Sequence, residues 1–150
     1  MKLAAALSER ADLQARLSQL EIRLNNNAKV QEGEKPAEDP AQLLAELDQV
    51  LSRLEELMGR INLTNSRTAK DGVTVTELIA RRDVLKQRLS VLRSFLNAAS
   101  QKVDRHARSE IAIKSTVNVA ELQKKADAAA KELRKTDEII QELNWTTELM

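Results

Sequence analysis

Leucine and its aliphatic relatives recur in this chain at spacings of three and four residues, through four long stretches. No other feature constrains the fold as strongly, because such spacing lays one apolar stripe along an α-helix and along no strand. The first stripe runs Leu3, Ala6, Arg10, Leu13, Leu17, Leu20, Leu24; the second runs Leu43, Leu47, Val50, Leu54, Leu57, Ile61. The third comprises Leu78, Arg82, Leu85, Leu89, Leu92, Leu96, Ala99 and Val103, and the fourth Val119, Leu122, Ala126, Ala129, Leu133, Thr136, Ile140 and Leu143. A flanking row of Leu44, Leu51 and Met58 widens the second stripe, and Gly59 beside it reads as room for a close helix contact.

These stripes predict helices over residues 2–27, 40–68, 75–107 and 119–144 of one domain spanning 1–150. Capping chemistry supports three of the four starts. Asp39 precedes Pro40, the tolerated first helical position. Thr74 with Glu77, and Asn118 with Glu121, have the spacing of capping boxes. The expected fold class is all-α with a minor β ribbon. Two architectures satisfy the spacing: an antiparallel up-down-up-down four-helix bundle, or coiled-coil hairpins that pair with another chain.

The breaks between helices carry the remaining pattern. Asp71-Gly72 is a turn signal. Residues 28–34, with Val30 and Gln31, and residues 110–117, with Ile111, Ile113 and Val117, read as extended; in the second, β-branched residues alternate with a period of two. In an antiparallel bundle these two connections share one end, so short strands in the first and third connections are expected to form the ribbon. Val30, Gln31, Ile111, Ile113, Val117 and the single tryptophan, Trp145, are therefore the candidate interface residues.

At the other end, counting ~1.5 Å of rise per residue brings Arg10, Thr64, Asn65, Arg82, Thr136 and Asp137 to one height. This polar layer interrupts an aliphatic core. It is either a structural layer that fixes register or a site for a small anion, with Asp137, Glu9 or Asp83 available to neutralise the arginines.

Composition removes other functions. The chain has no cysteine, which excludes disulfides, zinc–thiolate sites and thiol catalysis. Its single histidine, His106, stands in "VDRHARS" without a second imidazole, so neither a dimetal carboxylate site nor a serine–histidine–acid set can be assembled. The three glycines are far apart and form no phosphate loop. No cofactor and no enzymatic activity are expected. A net charge of +1 and 1% aromatic content disfavour nucleic acid, which needs basic tracks and stacking platforms. The third helix is basic and the second acidic, and complementary flanks of neighbouring helices or subunits explain both. With no signal-like segment and no apolar run near ~18 residues, the expectation is a cytoplasmic protein that associates with itself and not with membrane.

The stretches "VQEGEKPAEDP", "INLTN", "ARRDVLKQRLSVLR" and "QELNWTTEL" together resemble a family of small bacterial proteins of unknown function commonly labelled septicolysin. The resemblance covers nearly the whole chain and brings no catalytic or binding residues with it. The label implies a cholesterol-dependent pore-forming toxin. The residues point elsewhere: one tryptophan, heavily charged helix faces, and no pair of amphipathic strands long enough to cross a bilayer.

Overall fold

The structure is a computed structural model that describes residues 1–101 and 111–150. Its elements in chain order are α1 (Leu3–Asn26), α2 (Pro40–Arg67), β1 (Ala69–Lys70), β2 (Val73–Thr74), α3 (Val75–Ser100) and α4 (Val119–Thr146). The described residues are all-α, with four long helices and one minor two-stranded ribbon. The caps anticipated at Asp39 and Asn118 form. The Asp39 carboxylate accepts the Ala41 N–H at 2.9 Å, and the Asn118 side-chain oxygen accepts the Glu121 N–H at 3.2 Å. The last residues predicted for the third helix, with Val103 and His106, lie outside the described residues.

The chain divides into two compact units. The first comprises Met1–Val75 with Glu142–Met150, the second Thr76–Gln141. In the first unit α1 and α2 pack antiparallel. Leu3 and Ala6 at the start of α1 meet Leu57 and Ile61 near the end of α2, and Leu20 meets Leu43, Val50 and Leu54 at the opposite end. Each fully buried leucine contributes ~1.5–3 kcal/mol, so the 3–4 spacing is the main source of cohesion. In the second unit Leu89 of α3 packs on Ala126 and Ala129 of α4, with Leu92, Ala130 and Leu133 around them.

The ribbon is not where the sequence places it. Residues 28–34 and 111–117 form no strand, whereas β1 and β2 pair antiparallel inside the second connection, Ala69 with Thr74 and Lys70 with Val73. The reason is local. Asp71 and Gly72 both take positive φ, 53° and 80°, as a two-residue hairpin turn requires. That turn closes a ladder between immediate neighbours, without help from a distant segment. Gly59 is also reassigned: it is exposed, and a Cβ there would meet nothing within 4 Å.

The first unit is closed by the tail after α4. The Leu3 N–H donates to the Thr147 carbonyl at 2.9 Å, and the Leu149 N–H donates to the Met1 carbonyl at 2.8 Å. This places the Leu149 side chain in the core formed by Leu3, Ala6, Leu57 and Ile61. Trp145, the interface candidate in the last turn of α4, is 69% exposed, and Leu149 in the tail only 7%.

Candidate functional site

The six polar-layer residues fall three in each unit. Arg10, Thr64 and Asn65 belong to the first; Arg82, Thr136 and Asp137 belong to the second. Within the first, Thr64 is fully buried and its hydroxyl is committed twice. It donates to the Arg60 carbonyl at 2.8 Å and accepts the Met150 N–H at 3.0 Å. Asn65 beside it is half-buried. Arg10 is half-buried on α1, and its Nε is shielded from solvent with no hydrogen-bond partner.

Within the second unit Arg82 and Asp137 do come together. The guanidinium Nη1 lies 3.9 Å from the Asp137 carboxylate, and Nε donates to Asp83 at 3.2 Å. Two acidic groups thus answer the Arg82 charge. The buried Thr136 hydroxyl donates to the Glu132 carbonyl four residues back, the usual satisfaction of a helical threonine. Of the six, Arg10 alone holds a shielded and unsatisfied donor, a group that costs free energy unless something meets it.

The interface candidates are displayed at the surface. Val30 is 48% exposed, Ile113 68% and Ile111 80%; Gln31 is exposed, and Val117 is half-buried. Ile113 and Phe95 line a shallow recess in the second unit with Ala98 and Ala99.

Sequence reasoning missed a charge ladder between α1 and α2. Arg53 donates to both oxygens of Glu9, at 2.7 and 3.0 Å. Arg16 donates to Glu46 at 2.8 Å, and Arg23 grips Glu38 through Nε at 3.0 Å and a second nitrogen. Glu9, Arg16 and Arg23 are seven residues apart, the spacing at which antiparallel helices present successive flanking charges to each other. That heptad was the available signal. The hydrogen bonds from Arg53 and Arg23 hold the carboxyls of Glu9 and Glu38 below their ordinary range, and the arginines are raised in turn. Glu46 of α2 and Glu38 just before it are therefore answered by α1. Asp48 and Glu55 on α2, and Arg81 and Arg88 on α3, make no ion pair among the described residues.

No cluster of three or more metal-ligating side chains occurs among the described residues, and no helix among them is long and apolar enough to cross a membrane.

Comparison with known proteins gives a family and a fold without an activity. The profile of a family of unknown function, DUF6847, matches residues 10–149. A crystal structure of a functionally unknown conserved protein from Corynebacterium diphtheriae is similar at 42% sequence identity and a TM-score of 0.92, covering 100% of this chain and 99% of that one. No curated protein matches. Neither match carries a septicolysin label. The profile spans α1 from Arg10 through the buried Leu149, so it includes both units described above, and the chain belongs to the family of unknown function DUF6847.

Proposed function

We propose that this protein is a homo-oligomeric helical scaffold or interaction protein, working without catalysis in the cytoplasm. One observation carries the reading. Large apolar side chains stand exposed along regular helices, among them Leu44 at 50%, Leu51 at 43%, Met58 at 46%, Val84 at 63% and Val91 at 68%. Rows of exposed large apolar side chains on regular helices are what association surfaces display. Self-association answers it most simply, because each copy brings the same unmet surface. The test is the unfolding midpoint over a hundredfold range of protein concentration. An oligomer unfolds at a midpoint that rises with concentration by mass action; a midpoint that stays constant contradicts the reading.

A second reading rests on Arg10. Its shielded Nε is a donor without an acceptor, and a small anion entering beside it would supply one. Stabilisation by millimolar phosphate or sulfate that disappears in Arg10→Met supports this reading. Equal stabilisation of both proteins rejects it.

A further inference from the structure

Two exposed apolar rows in this chain share one repeat. On α2, Leu44, Leu51 and Met58 are seven residues apart, and all are more than 40% exposed. On α3, Val84 and Val91 are seven apart and more than 60% exposed, with Phe95 one turn further. Seven-residue repeats are the signature of helices that pack lengthwise on another helix.

The charges beside the rows are opposite in sign and share the repeat. Asp48 and Glu55 stand one turn after Leu44 and Leu51; Arg81 and Arg88 stand just before Val84 and Val91. All four are exposed, and none makes an ion pair among the described residues. Elsewhere on α2 the contrast is plain, because Glu46, Arg53, Glu56 and Arg60 are all engaged. Pairing either row with its own copy would set like charges together, which is unfavourable.

We infer that the α2 row of one copy docks antiparallel on the α3 row of a second copy. The register places Leu44 opposite Val91 and Leu51 opposite Val84, with Asp48 facing Arg88 and Glu55 facing Arg81. The contact is reciprocal in a two-fold dimer, where each copy offers both rows.

This inference rests on the homo-oligomer reading and adds its interface. The test is sedimentation velocity on four samples: the parent, Asp48→Arg with Glu55→Arg, Arg81→Glu with Arg88→Glu, and an equimolar mixture of the two variants. The substituted residues are exposed and unpaired, so far-UV circular dichroism should show unchanged helicity. The expected result is a dimeric parent, association weakened about tenfold or more in each variant, and dimerisation restored in the mixture. An associating parent with both variants unchanged overturns the interface and leaves the oligomer reading standing. Variants that dissociate without recovery on mixing overturn the pairing of α2 with α3. A monomeric parent overturns both.

Discussion

Glu9 on α1 and Arg53 on α2 meet through two parallel hydrogen bonds, 2.7 and 3.0 Å long, between residues 44 apart in sequence. Arg53 also reaches Glu56 at 2.7 Å on its own helix. Forked geometry of this kind is more specific than a point-charge contact, and it locks the α1–α2 register set by the leucines. Arg53→Met should lower the unfolding midpoint by a few degrees. Exchanging the partners, Glu9→Arg with Arg53→Glu, should recover most of that loss. Thermal unfolding of the two variants and the parent checks both outcomes.

The acid limb of stability follows from the same contacts. Hydrogen bonds from Arg53, Arg23, Arg53 again and Lys2 depress the carboxyls of Glu9, Glu38, Glu56 and Glu148, respectively, below the ordinary value of 4.5. A depressed carboxyl binds its proton more readily unfolded than folded, so its contribution is complete above about pH 4.5 and is lost as pH falls through the folded values. The unfolding midpoint should therefore be level from pH 6 to 8 and decline below about 4.5. Arg53→Met should flatten that decline. A parent whose midpoint is unchanged down to pH 3 would contradict this.

Leu149 and Trp145 should exchange the importance their sizes suggest. Leu149→Ala empties a core position beside Leu3 and Ile61 and should cost about 2–4 kcal/mol. Trp145→Ala removes an exposed ring and should change stability by no more than ~0.5 kcal/mol. Urea unfolding of both variants separates them. A larger loss for Trp145→Ala in the folding equilibrium would mean that the ring is covered by another copy.

Arg10→Met tests the orphaned donor. Removing a shielded N–H that nothing accepts should leave stability equal to the parent or higher by up to ~1 kcal/mol. A clear loss of stability in phosphate-free buffer would show that the guanidinium is satisfied in solution.

How much of this was legible in the sequence depended on the range of the interaction. Helix starts were readable at Asp39 and Asn118, because a cap is made by residues two or three positions apart. The buried rows were readable because a helix repeats every 3.6 residues. The ribbon was misplaced because alternation at Ile111 and Ile113 advertises a strand without showing a partner. Asp71-Gly72, read as a turn alone, carried its own partner on either side. Leu149 could not be read at all, since nothing local distinguishes a leucine that returns to meet Leu3 from one that does not. The polar layer was inferred from helix height. Of its members, Arg82 and Asp137 do approach each other, and the two threonines turn their hydroxyls back to their own helices.

The central claim is self-association, and the mass of the protein in solution tests it most directly. Multi-angle light scattering at micromolar concentration, in low and moderate salt, should give a defined multiple of 16.8 kDa that persists as salt rises, because apolar rows carry the interface and charges choose its register. A single species of 16.8 kDa under both conditions would contradict it.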